Sequence, residues 1–257
     1  MDELSFGQYE FIFNVFSFSL ATMGAATLFF WFGRQQVSAA YKTAMTITGL
    51  VTFIAAYHYL RIFQSWEASY VTIDGVFQRS GVAFNDAYRY VDWLLTVPLL
   101  MIELILVMNL TRSQAISKGA RLGVLAALMI ILGYPGEIAD SNGERLIWGV
   151  VATLPFLWIL YELFVGLRGS IASQPPDVRG LVSTAVWVTV VSWTFYPVVY
   201  FIGLADLGAG TSEVAIQTGY TIADITSKVG FGLLIYTIAV RKSGYDHGVP
   251  ASAQPAD

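Results

Sequence analysis

The chain has 257 residues, of which 56% are apolar and only 12% charged, and its mean hydropathy is +0.61. That is too little charge to cover a soluble globular surface. Cysteine is absent and histidine occurs only at His58 and His247, which excludes disulfides, thiolate metal sites and histidine-rich metal centres. The net charge of −4 excludes little, because membrane orientation follows where Lys and Arg sit and not their sum.

A helix crossing a bilayer needs about 20 mostly apolar residues. Seven such runs follow one another, at 9–33, 43–65, 87–109, 119–135, 145–167, 180–203 and 214–240. No basic segment followed by a short apolar core and a cleavage site precedes the first, so no removable signal peptide is expected. Gly33-Arg34-Gln35-Gln36 breaks the first run from the second, which carries His58 and Arg61. Between the second and third runs, Tyr70–Ile73 and Val76-Phe77 flank Asp74-Gly75, a turn pair that predicts a short β-hairpin. The third run holds Arg89, Asp92 and Glu103, and Thr111-Arg112-Ser113 ends it. Ser141-Asn142-Gly143 separates the fourth run from the fifth, which carries Glu162, and Ser173-Gln174-Pro175-Pro176 precedes the sixth. Asp224 and Lys228 lie in the seventh. From Ser243 the chain is small, polar and Pro-containing, and 243–257 is expected to be a disordered tail behind a single domain at 1–242.

Nine basic residues (Arg34, Lys42, Arg112, Lys118, Arg121, Arg168, Arg179, Arg241 and Lys242) lie in or beside alternate connections, against Arg79 and Arg145 in the others. This asymmetry puts the C-terminus inside and the N-terminus outside, which requires an odd number of spans. The fold class expected is an all-α seven-helix membrane bundle with one hairpin between the second and third helices.

Ionisable groups in hydrocarbon are costly and usually functional. Arg61 and Glu162 lie near span ends and are expected to snorkel to water. Others need a reason. At about 100° per residue, Thr96 lies roughly 40° and Glu103 roughly 20° from Asp92 around the third helix, with Arg89 on the same side. Asp92 and Glu103 are about 16 Å apart along the axis, one in each half of the membrane, which suits a proton path. In the seventh helix Asp224 is one turn before Lys228, near the middle of the span. The plain alternative is a buried structural ion pair. A buried lysine can also lose its charge and condense with an aldehyde. Trp93 on the third helix and Trp193, Tyr196 and Tyr200 on the sixth are spaced to line a long apolar cofactor, with Pro197 bending the sixth helix; each of these rings alone could equally be packing.

Arg89-Tyr90-Val91-Asp92-Trp93-Leu94-Leu95-Thr96-Val97-Pro98-Leu99-Leu100, Trp193-Thr194-Phe195-Tyr196-Pro197 and Asp224-Ile225-Thr226-Ser227-Lys228-Val229-Gly230-Phe231-Gly232 resemble the third, sixth and seventh helices of microbial rhodopsins. The resemblance covers all seven spans. Phe84-Asn85-Asp86-Ala87-Tyr88 and Gly133-Tyr134-Pro135-Gly136-Glu137 are similar to the xanthorhodopsin branch.

The resemblance implies all-trans retinal held on Lys228 as a protonated Schiff base. Asp92 would be its counterion and proton acceptor, Asp224 a second counterion, and Arg89 a charge relay on the outer side. Glu103 would be the proton donor, kept neutral by apolar surroundings. Trp93, Trp148, Phe156, Trp193, Tyr196, Pro197 and Tyr200 would line the cofactor. The Asp92-Thr96-Glu103 pattern resembles outward proton pumps of the proteorhodopsin and xanthorhodopsin kind and neither sodium nor chloride pumps. His58 matches a histidine that hydrogen-bonds the acceptor; the alternative is a packed histidine with a backbone partner. Gly149 stands where many members carry a bulky Trp, and implies a window for a carotenoid antenna; the alternative is a glycine for close packing. Leu100 resembles the green-absorbing form. Ala205 and Ile216 stand where some pumps have a glutamate release pair, and Glu213 is offset from it, so no dedicated release pair is expected. The activity implied is that of a light-driven ion transporter, with translocase-type rather than classical enzymatic action, in the plasma membrane, as pentamers or hexamers. A sensory photoreceptor is the competing reading, disfavoured by Glu103, and a retinal-free transporter or receptor is a third.

Overall fold

The computed structural model describes residues 4–202 and 208–246. Seven long helices form the bundle: α1 (Phe6–Gly33), α2 (Lys42–Ser69), α3 (Ala87–Leu106), α4 (Arg112–Glu137), α5 (Asn142–Tyr161), α6 (Pro176–Ile202) and α7. The last is built from Ala209–Asp224, a wide π-type turn at Ile225–Gly230 and Phe231–Asp246. A second wide turn, Glu162–Gly166, continues α5 and leads to a short helix at Arg168–Ala172.

Local sequence starts these helices where they start. Ser5 with Gln8 and Thr111 with Gln114 form reciprocal capping boxes on α1 and α4, each satisfying orphan amides. The Ser141 side chain accepts from the Glu144 amide and caps α5. Pro176 opens α6, where its missing N–H has no partner to lose.

Six of the seven are long and apolar enough to cross a membrane. The exception is α3, whose 20 residues carry Arg89, Asp92 and Glu103. Three charges and not a lack of apolar residues set it apart, and all three are buried inside the bundle. Outward, the bundle exposes large apolar side chains such as Val124, Leu154 and Trp158 on α4 and α5, as a lipid-facing surface requires.

The hairpin pairs β1 (Tyr70–Ile73) with β2 (Val76–Arg79) in antiparallel register, Tyr70 opposite Arg79. Asp74 and Gly75 both take positive φ, 50° and 82°, as this tight turn demands. Leu4 bridges to Phe77 along the free edge, and the Tyr9 ring stacks on Phe77 at 3.8 Å. The hairpin is thereby fixed over α1 at one end of the bundle, here termed the hairpin face; the chain's last helix ends at the other, the tail face.

Successive helices pack from α1 to α5, α6 packs on α7, and α7 closes the ring against α1 and α2. The helix α7 runs to Asp246, past the boundary expected at 242, because Ser243 is buried and binds Ala239 O and the Ser38 amide. The rest of the expected tail, 247–257, lies outside the described residues, as does Ala205.

Candidate functional site

Lys228 sits in the wide turn of α7 and is 1% exposed. Its Nζ contacts Asp224, one turn earlier, and lies 3.1 Å from Asp92 Oδ2 across on α3. Asp92 and Asp224 are 1% and 0% exposed. The three residues that the sequence singled out on two helices thus form one buried cluster of a cation between two anions. A π-type turn is a common feature of functional sites, and nothing in the sequence marked this one.

The two carboxylates differ sharply in their partners. Asp224 accepts hydrogen bonds from Tyr59 OH at 2.8 Å, Trp93 Nε1 at 2.9 Å and Tyr196 OH at 2.7 Å, in addition to Lys228. Neither Asp92 oxygen takes a well-formed hydrogen bond from a described residue. Thr96 is buried beside it, but its hydroxyl donates to the Asp92 backbone carbonyl at 2.8 Å, not to the carboxylate. His58 Nδ1 lies 3.7 Å from Asp92 Oδ1 and 2.9 Å from Ile54 O. A carbonyl only accepts, so Nδ1 carries the hydrogen and points it at the backbone. His58 therefore stands beside Asp92 without the direct hydrogen bond that was expected.

Arg89 is fully buried but makes no ion pair with Asp92 or Asp224. Its Nη2 donates to Gln217 Oε1 at 2.8 Å, and Nη1 lies 3.7 Å from Asp86 Oδ1. Burial pushes the Asp86 carboxyl, at the hairpin-face end of α3, above the usual range, against the pull of Arg89. Toward the tail face, Glu103 is fully buried. Its Oε2 lies 2.5 Å from Thr48 Oγ1, and Oε1 has no partner among the described residues.

A largely apolar cavity of about 100 Å³ opens among α3 to α7. Trp93, Phe156, Trp193, Tyr196, Pro197 and Tyr200 line it, as the sequence suggested, together with Gly149. Trp93 and Tyr196 serve twice: their rings wall the cavity while their polar atoms bind Asp224. The cavity therefore ends beside the amine. Trp148 does not line it. That residue turns toward α4, where its Cβ would sit 2.9 Å from a Cβ on Gly136. Gly149 is not an open gap, since an added Cβ would meet Tyr200 Cε1 at 3.0 Å and Phe201 Cζ at 3.2 Å. Leu100 is buried in the core without lining the cavity, and Ile216 packs against the same core.

One expectation of snorkelling fails. Glu162 is buried and pairs with Arg121 at 2.7 Å and Lys118 at 3.7 Å from α4. Arg61 donates to Tyr88 OH at 2.7 Å. The partners of Glu162 lie on a neighbouring helix, and single-span reasoning does not see such partners, whereas Arg61 stays partly exposed. Sequence reading also missed Tyr59, Gln217, Thr48 and Ser227, whose Oγ lies 2.9 Å from Tyr196 OH. Tyr59 directly follows His58, but one tyrosine among 14 carries no signal.

Such a cluster, a buried lysine between two aspartates at the end of an aromatic-walled cavity in a seven-helix membrane bundle, defines a microbial rhodopsin. Residues 11–242 match the family model described as bacteriorhodopsin-like protein, and the chain belongs to that family. It is 34% identical to the green-light absorbing proteorhodopsin of a gamma-proteobacterium over 226 residues, 87% of this chain and 84% of that one. It is also 34% identical to bacteriorhodopsin of Halobacterium salinarum, over 84% of this chain and 79% of the other. Among solved structures, xanthorhodopsin, described as a light-driven ion pump with dual chromophore, superposes with a TM-score of 0.91 at 49% identity, covering 96% of this chain and 99% of that one. A thermophilic rhodopsin superposes with a TM-score of 0.92 at 44% identity over the same shares. Membership implies a retinal chromophore. The residues fit it: an apolar, aromatic-walled cavity beside an amine whose charge two carboxylates compensate.

Proposed function

We propose that this protein is a light-driven outward proton pump with retinal on Lys228. One observation carries the reading: of two buried carboxylates flanking the amine, Asp224 is saturated with donors and Asp92 is not. When bound, retinal supplies light absorption and a photochemical change in how tightly the Lys228 nitrogen holds its proton. Protonating Asp224 would break hydrogen bonds to a charged acceptor, each worth about 1.5–3 kcal/mol. Protonating Asp92 disturbs only its 3.1 Å contact with Lys228, the group that gives up the proton. Asp92 therefore takes the proton, and Asp224 stays ionised as the fixed anion that orients the amine.

Glu103 returns a proton from the tail-face half, about 16 Å along α3 from Asp92. The Thr48 hydroxyl has one hydrogen and two neighbours, Glu103 Oε2 at 2.5 Å and Ala44 O at 3.0 Å. The carbonyl can only accept. A resting Glu103 that holds its own proton and gives it to Thr48 Oγ1 satisfies both contacts at once. The direction of pumping follows from the nine-to-two placement of basic residues, which sets the tail face inside and the N-terminus outside, with the plasma membrane as the site of action. The bundle would work in lipid as a homo-oligomer of five or six copies, and the net event is ion translocation rather than conversion of a substrate.

A second chromophore, a carotenoid antenna, is the finer reading. Gly149 on the cavity wall and the likeness to xanthorhodopsin, a 49% identical pump with a dual chromophore, favour it. The Tyr200 and Phe201 rings would form the surface it meets. Retinal-loaded protein given candidate carotenoids should then show a carotenoid band in the excitation spectrum for pumping.

Cells making the protein with retinal should acidify their medium in light, and a protonophore should collapse the change. Asp92→Asn should abolish it. Acidification persisting in that variant would remove Asp92 from its role and with it the proposal.

A further inference from the structure

The buried Arg89 is held in an uncomfortable place. Its Nε has no partner among the described residues, and a buried unsatisfied donor on a charged group is expensive. Two carboxylates that would compensate it better, Asp92 and Asp224, lie on the same and the facing helix. Something outside the cluster keeps the guanidinium from them.

An unbroken polar chain does this. Arg89 Nη2 donates to Gln217 Oε1 at 2.8 Å. Gln217 Nε2 donates to Glu213 Oε1 at 3.2 Å, one turn toward the hairpin face. The other oxygen of Glu213 meets Arg79 Nη2 at 3.2 Å, and Arg79 is the last residue of β2, with its guanidinium over the Tyr70 ring of β1 at 4.7 Å. The hairpin is itself anchored to the start of the chain through Leu4 and Phe77. A loop outside the spans is thus wired through three side chains to a cation three residues from Asp92. Arg89 stood out in the sequence but its tie to the hairpin did not; Gln217 and Glu213 are i, i+4 neighbours on one helix face, and their partners come from elsewhere.

We propose that Gln217 and Glu213, anchored on Arg79 of the hairpin, are positioning residues that hold the Arg89 guanidinium away from Asp92 and Asp224. The hairpin is then a part of the proton-transfer machinery: while the chain is intact, Asp92 faces Lys228 without a second cation. Other groups facing Arg89 are Tyr59 on α2, Asp86 at the start of α3, and Tyr220 and Asp224 on α7, with Glu137 on α4 and Arg145 on α5 beyond. Those facing Asp92 are His58, Lys228 and Asp224. None of them bonds to Arg89 as Gln217 does. The inference rests on Asp92 being the acceptor.

The test is a pH titration of the visible absorption band of the retinal-loaded protein, with Asp92→Asn as the control that must lose the colour transition. Gln217→Leu cuts the chain next to Arg89, and Arg79→Gln cuts it at the partly exposed hairpin end. A freed guanidinium moves toward the carboxylates, so each variant should lower the midpoint by about one pH unit. The double variant should shift no further than Gln217→Leu alone, because both cut one chain. The sign discriminates: losing the Arg79 charge by itself would raise the midpoint, since a cation near an acid favours its ionised form. An unchanged or raised midpoint in either variant, or additive shifts in the double, would overturn the proposal. If Gln217→Leu yields no pigment, Arg79→Gln decides alone. A colour transition that survives Asp92→Asn would instead count against the acceptor assignment.

Discussion

If hydrogen bonds alone keep Asp224 from accepting the proton, removing them should let it do so. Tyr59, Trp93 and Tyr196 donate to Asp224 at 2.8, 2.9 and 2.7 Å. At about 1.5–3 kcal/mol for each bond to a charged acceptor, the three together disfavour protonation by about 4–9 kcal/mol. That is a factor of at least about a thousand in partition between the two carboxylates. Tyr59→Phe and Tyr196→Phe together remove about 3–6 kcal/mol of it and leave the Trp93 bond. In the Asp92→Asn background, where no proton should be transferred, this pair of changes should restore partial transfer, now to Asp224. Time-resolved infrared difference spectra would show it as a protonated carboxyl band after the flash, assigned by its loss on adding Asp224→Asn. A triple variant that binds retinal and forms pigment but remains as inert as Asp92→Asn would refute the argument. The hydroxyls would then matter for packing and not for the choice of acceptor.

Glu103→Gln should slow return of the proton to the Lys228 nitrogen by about 10²–10⁴-fold, the usual value of a positioned general acid, read from the decay of the deprotonated species after a flash. Gly219→Ala would put a Cβ 2.6 Å from Val199 Cγ2, between α6 and α7. It should cost about 1–3 kcal/mol by overpacking, measured as earlier thermal bleaching. Glu162→Gln breaks the pair with Arg121, but Arg121 is half exposed, so the loss should stay near ~1 kcal/mol in the same assay. Removing retinal with hydroxylamine should lower the melting temperature and restoring it should reverse the change, because a ligand bound only by the folded state stabilises that state.

Composition and periodicity determined much of this protein. Seven apolar runs, an Asp-Gly turn between two short β segments, and charges on α3 and α7 that lipid would not tolerate are properties of single segments. Each is set by local chemistry: the length of a span, the φ values a turn requires, the cost of an ion in hydrocarbon. Lys228, Asp92, Asp224 and Glu103 could be picked out for that reason, since each is conspicuous on its own helix. Bounds at helix ends were less legible, as at Ser243, where contacts with Ser38 carry α7 further than its own hydropathy does.

Only the tertiary structure decided what those groups touch. Whether a carboxylate is saturated or free depends on donors from α2, α3 and α6 that lie far from it in sequence, and this is what separates Asp224 from Asp92. The same holds for Arg89, which turns to Gln217 and not to the neighbouring acids, for Glu162, which finds two cations instead of water, and for Trp148, which faces α4 and not the cavity. Helix periodicity fixes a residue's angle around its own axis; the rotation and approach of the next helix, which set its partners, come from packing the whole bundle.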